Sequence, residues 1–202
     1  QLKAAALLTL AIQRKALAFG MSLKDASAYN IQFVRGRPIL IDTLSFDLHQ
    51  DGMLWPAYRQ FCEHFLAPLA LMAHADVRLN QLLRVHLDGI PLDLAGALLP
   101  LRTRLHPGLL AHLHLHAAAQ QRLAHAPGAP RRRAVSLHAL AGFIEQLEAL
   151  VQSLCWTPRR TAWSDYYASG PHERSALQEK EQRVEQLLSA APRVTLSWQR
   201  SD

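Results

Sequence analysis

Two β-prone runs, IQFV at residues 31–34 and PILID at 38–42, are separated by only Arg35-Gly36-Arg37. That tight-turn composition joins them into one short hairpin. The rest of the chain reads as helix. Residues 2–19 place Leu7, Leu8, Ile12 and Leu17 near helical spacing, with Gly20 as the stop. Residues 55–73 form an aromatic, buried helix that Pro68 kinks or breaks. Further helices are predicted at 76–86, 91–98, 107–124, 136–154 and 173–190, punctuated by Pro91, Pro100, Pro107, Pro130 and Pro158. Ser136 suits the N-cap of the helix that follows it. The class is therefore mainly α, with six to eight helices and one short β-hairpin.

At 202 residues and 50% hydrophobic content the chain can bury a sizeable core, and 19% charged residues argue against wholesale disorder. The net charge of +6 invites a polyanion partner. The excess is scattered, however, apart from arginines at 131–133 and 159–160, and no zinc-finger or helix-turn-helix signature occurs, so no nucleic-acid interface is expected. No run of about 18 uncharged apolar residues exists, which removes the membrane span. Cys62 and Cys155 read as two buried thiols in a reducing compartment. The chain begins at Gln1 in helical pattern without a signal peptide, as expected of a cytoplasmic piece of something longer.

Chemistry concentrates at residues 21–46. The loop between the first helix and the hairpin carries Asp25 and Asn30 in an Asp-x4-Asn spacing, and Asp42 ends the second β run. Phosphoryl transfer needs one carboxylate to orient the attacking hydroxyl, and an amide oxygen with a second carboxylate to hold Mg²⁺ on the phosphates. Mg²⁺ is a hard ion that prefers oxygen ligands. The order helix, Asp-x4-Asn loop, hairpin, Asp resembles the catalytic segment of the protein-kinase-like and aminoglycoside-phosphotransferase-like fold. The resemblance implies a kinase-like C-terminal lobe in which Asp25 matches the catalytic acid, and Asn30 and Asp42 the metal ligands. Leu23 stands where a His is usual, and Asp42-Thr43-Leu44 replaces Asp-Phe-Gly, which is closer to the small-molecule kinases. Neither a Gly-rich loop nor a strand-borne Lys precedes the segment, so the lobe is expected to be catalytically incomplete as it stands. Asp25 and Asn30 also suit a plain turn, and Asp42 a strand end.

A wider resemblance covers most of residues 7–120. The wording LKDASAYNIQF, RGRPILIDTLSF, AYRQFCEHFLAPLAL, LDGIPLDLAG and LLPLRTRL is similar to the region preceding the catalytic domain in bacterial class I SAM-dependent methyltransferase-like proteins. It implies an accessory region that docks a substrate or partner for its own downstream methyltransferase domain, with SAM bound in that domain. No Asp/Glu-x-Gly-x-Gly motif occurs in this chain. The alternatives are a trimmed small-molecule phosphotransferase using Mg-ATP and a ligand-free interaction module. The organisation expected is a lobe over 1–125, a Pro/Gly-rich linker over 126–135 and a helical extension over 136–202.

Other groups point less clearly to chemistry. His112 and His116 share a helix face at a spacing able to bind Zn²⁺, but His106, His112, His114, His116 and His125 are read as solvated or core-edge residues. Trp163, Tyr166 and Tyr167 are read as packing a linker onto the body. Cys62 and His64 lie two apart on a helix and point to different sides, so they make no dyad. In 173–190, Leu177, Val184, Leu187 and Leu188 form a stripe suited to packing against a following domain.

Overall fold

In the computed structural model, residues 1–115, 135–157 and 174–190 are described. Residues 126–134 of the expected linker, residues 116–124 of the helix expected at 107–124, His125 and the Trp163–Tyr167 aromatics lie outside them. The first helix, α1 (Leu2–Ala18), ends where Gly20 turns left-handed at φ 69° and donates to the Leu17 carbonyl. The chain then enters β1 (Met21–Leu23), a 3₁₀ turn at Ala28–Asn30, β2 (Ile31–Val34), β3 (Arg37–Leu40) and β4 (Phe46–Leu48).

The expected hairpin is β2–β3, in register Ile31 with Leu40 through Val34 with Arg37. Its turn is Arg35-Gly36, and both residues have positive φ, 50° and 77°. This is the twist that lets a two-residue turn match the strands. The second strand closes at Leu40, two residues before the expected end, so Ile41 and Asp42 fall in a loop. A second antiparallel ladder, β1 with β4, encloses the hairpin and pairs Leu23 with Phe46. Sequence pattern does not reveal it, because strands of three residues carry too little alternation to register.

The helices that follow keep the expected order with altered local form. α2 (Tyr58–Phe61) passes through a π turn at Cys62–Leu66 into α3 (Ala67–His74). Pro68 neither stops nor breaks this rod. Its ring cannot sit against the carbonyl four residues back, and the wider turn just upstream opens the register instead. Ala67 N–H reaches back to the Cys62 carbonyl. The Glu63 carbonyl would then have Pro68, which lacks an N–H, as its partner. Ile90 N–H fills the gap at 2.9 Å. Gly89 makes that approach feasible: at φ 98°, a Cβ there would lie 2.7 Å from Glu63 Cβ.

Residues 77–84 run as a 3₁₀ helix capped by Asp76. Then come α4 (Leu92–Leu98), a 3₁₀ turn at Leu101–Leu105, α5 (Pro107–Leu109), a second π turn at Leu110–Leu115, and α6 (Leu137–Ser153), N-capped by Ser136 as predicted. One apolar core joins α1, the 58–74 rod, α4, the 109–113 turn and α6 through residues such as Leu10, Phe61, Phe65, Leu71, Leu113, Ile144 and Leu147. Lys3 Nζ donates to the Gln152 and Leu154 carbonyls, satisfying the last turn of α6 from α1. The sequence groups residues 136–202 together, whereas α6 shares the core of α1 and the compact unit runs Gln1–Thr157. In the second unit, α7 (Arg174–Ala190) leaves Val184, Leu187 and Leu188 exposed.

The two cysteines differ. Cys62 is buried and its thiol is pushed up to about 12 by that burial. Cys155 is exposed, against expectation, because it follows the end of α6 rather than lying within it. Both thiols are free, so no disulfide links them. Among the described residues no helix is long and apolar enough to cross a membrane.

Candidate functional site

β1 leaves one edge away from β4, and buried Leu23 sits on it. Its N–H donates to Gln13 Oε1 of α1 at 2.7 Å, and its carbonyl accepts from Trp55 Nε1 at 2.9 Å. Gln13 is itself fully buried and its amide nitrogen donates to Ser22 Oγ. Two side chains thus complete an edge that would otherwise be an unpaired buried strand. The loop after β1 is held the same way by the 58–74 rod. Ala26 N–H donates to Gln60 Oε1 at 2.7 Å, and Ala28 N–H to His64 Nδ1 at 3.4 Å.

His64 is buried, with Tyr29 edge-on to its ring. Burial holds its pKa below the ordinary value, while Glu63, Asp25, Asp88 and a hydrogen bond with the Asp88 backbone oppose the shift. Because Nδ1 accepts, the neutral ring carries its proton on Nε2.

Asn30 and Asp42 are brought together. Ser45 Oγ donates to Asp42 Oδ2 at 2.7 Å, and Asn30 Nδ2 reaches the same hydroxyl at 3.2 Å. Asp42 Oδ1 accepts from Leu44 N–H at 2.9 Å. The Ser45 hydroxyl first, then the Leu44 N–H, hold the Asp42 carboxyl below its ordinary pKa, with Lys24 adding attraction and slight desolvation opposing. Asp25 stands aside from this pair. Its Oδ1 accepts Ser27 N–H at 2.8 Å in an Asx turn that starts the 3₁₀ segment. Among the described residues no group of three His, Cys, Asp or Glu side chains is placed to hold a metal. Of the three predicted positions, Asn30 and Asp42 are joined through the Ser45 hydroxyl, and Asp25 is not part of that link. A cleft of about 230 Å³ lies along the β1–β4 ladder, lined by Lys24, Asp47, His49, Met53 and Leu54 among others.

The histidines farther along serve packing. His112 is buried with a ring nitrogen 2.8 Å from Tyr58 OH. Thr103 Oγ1 donates to the Pro100 carbonyl, so the contact with His114 Nε2 at 3.0 Å makes that nitrogen the donor. His106 caps Leu109 N–H.

Sequence reasoning missed Gln13, Trp55, Gln60, His64 and Ser45. A signal existed for two of them. Gln60 and His64 are polar residues at i, i+4, and that spacing puts both on one helix face, as it does Arg59 and Glu63.

Fold and site together define a helix-dominated unit carrying two nested two-stranded ladders, with a polar amide–carboxylate pair in the loops they enclose. The chain is similar to the nodulation protein NoeA of Rhizobium meliloti (strain 1021), at 33% identity over 193 residues. That match takes in 93% of this chain and 40% of NoeA, so the chain spans well under half of its relative's length. No family model matches the chain, and no solved structure matches it.

Proposed function

We propose that this chain is a kinase-like helical lobe acting as the substrate- or partner-docking region of a larger SAM-dependent methyltransferase-like protein, with a Mg²⁺ site at Asn30 and Asp42. The observation that carries it is the nesting of β2–β3 inside β1–β4. Pairing Leu23 with Phe46 closes the Asp25–Asn30 loop and the Asp42 loop at one end of the ladder. A catalytic-type hairpin needs that order, since its metal ligands come from separate loops.

The residues fit a hard cation. Asp42 is held ionised, both donors are oxygens, and Mg²⁺ takes few protein ligands beside water and phosphate oxygens. Bound there, the ion would supply charge neutralisation to a phosphate-bearing ligand. Asp25, turned into its own Asx turn with the Ser27 N–H, would have to swing out of it to orient a hydroxyl, while Gln60 and His64 fix the loop backbone. The methyltransferase half of the proposal rests on the sequence resemblance and on NoeA extending far beyond the matched 40%. The cofactor is assigned outside this chain because it contains no Gly-rich SAM motif.

Thermal unfolding with Mn²⁺, Mg-ATP and SAM in turn tests this. A ligand at 100 times its dissociation constant stabilises by about 2.7 kcal/mol. A Mn²⁺ shift lost in Asp42→Ala, with none from SAM, is expected. An absent Mn²⁺ shift, or one untouched by Asp42→Ala, removes the metal site. A SAM shift places the cofactor in this chain, and a Mg-ATP shift much larger than that of the metal alone favours a phosphotransferase.

A further inference from the structure

Ser45 is 1% exposed and sits at the centre of the pair just described. Its carbonyl accepts Lys24 N–H at 2.8 Å, which pins its backbone to the end of β1. Its hydroxyl has one hydrogen to give. An ionised carboxylate only accepts, so that hydrogen is committed to Asp42 Oδ2 at 2.7 Å. The oxygen is then left to accept, and Asn30 must present its NH₂ at 3.2 Å. The donor and acceptor chemistry therefore agrees with the amide placing its nitrogen toward Ser45. With the nitrogen turned to Ser45, the amide oxygen Oδ1 faces the other way. The Leu44 N–H meanwhile holds the second Asp42 oxygen, so the carboxylate cannot rotate freely.

We propose that Ser45 is the positioning residue of the cation site: its hydroxyl sets the spacing of Asn30 and Asp42 and turns the amide oxygen of Asn30 outward as a ligand. This rests on the Mg²⁺ reading above. A purely structural role would use the same two hydroxyl bonds to tie the Asn30 and Asp42 loops together, and only a metal readout separates the two.

The test uses the full chain and Mn²⁺, titrated by loss of its free-ion EPR signal, for wild type, Ser45→Ala and Ser45→Thr. The expected result is at least ten-fold weaker binding in Ser45→Ala and recovery of most of that loss in Ser45→Thr. Hydrogen exchange of the Lys24 amide, unchanged in Ser45→Ala, confirms that the backbone is intact. Equal affinity in wild type and Ser45→Ala overturns the inference and leaves the site standing, whereas no binding by wild type overturns the site itself. Should Ser45→Ala fail to fold, wild type decides by NMR with Mg²⁺. The Asn30 side-chain carbonyl should shift while its NH₂ stays hydrogen-bonded. Loss of the NH₂ protection on binding overturns the proposal.

Discussion

The ladders at residues 21–48 and the helical rod at 58–74 meet over one loop, yet they are held by different forces. In the rod, every residue from Phe61 to Leu71 except Glu63 is buried. Most of its side chains are apolar, so its place is set by area removed from water. In the ladders, strands of three or four residues and the loop between β3 and β4 leave Val34, Ile39, Ile41, Leu44 and Leu48 exposed. Two-stranded pieces of that size are marginal alone. Their geometry comes instead from directional bonds lent by the buried body, through Gln13, Trp55, Gln60 and His64. The polar site therefore stands on a rigid element that contains none of its ligands, and disturbing the rod should reach the site.

The sharpest break of that contrast is Phe61→Ala. Phe61 is fully buried and stacks near Trp55 and Phe65, each with ring centroids 5.4 Å away. The loss should be about 3–5 kcal/mol by urea unfolding, against about 0.5 kcal/mol or less for Val34→Ala on the hairpin. Comparable losses would mean that the two regions are not held differently.

Gly89→Ala comes next. The added Cβ meets Glu63 at 2.7 Å and the φ of 98° strains any side chain, so a cost of about 1–3 kcal/mol is expected. Hydrogen exchange should localise it, with the Ile90 amide losing protection first. Uniform loss would show that the Pro68 gap is not where the strain enters.

The smallest effect is a pH dependence through His64. Its folded pKa lies below the unfolded value, so the unfolded chain binds the proton more readily. The stability it contributes is complete above about pH 6.5 and falls as pH drops toward the lower, folded value. Protonation of Nδ1 also removes the acceptor for Ala28 N–H. His64→Asn, whose oxygen can keep that bond without titrating, should flatten this part of the profile. A His64 ring that titrates at or above pH 6.5 by NMR would contradict the buried neutral tautomer.

Much of the fold was readable from the sequence. Gly20, Arg35-Gly36 and Ser136 act within a few residues of themselves, so α1, the hairpin turn and the start of α6 fell where composition put them. Pro68 was readable only in part, because its effect depended on Ile90 being available 22 residues later to take the Glu63 carbonyl. Of the candidate site, the spacing of Asp25, Asn30 and Asp42 was visible, and the structure joins Asn30 and Asp42 but not Asp25. Ser45, the residue that joins two of them, looked like any loop serine.

By itself the sequence determined which segments are helical, where the hairpin turns and which three polar residues flank it, since these follow from local backbone preference and periodicity. Only the tertiary structure decided that β1 pairs with β4, that Gln13, Gln60 and His64 complete the loop, and that Asn30 and Asp42 share one hydroxyl while Asp25 turns aside. Those outcomes depend on partners up to 36 residues apart satisfying buried N–H and C=O groups, and no local pattern encodes which partner arrives.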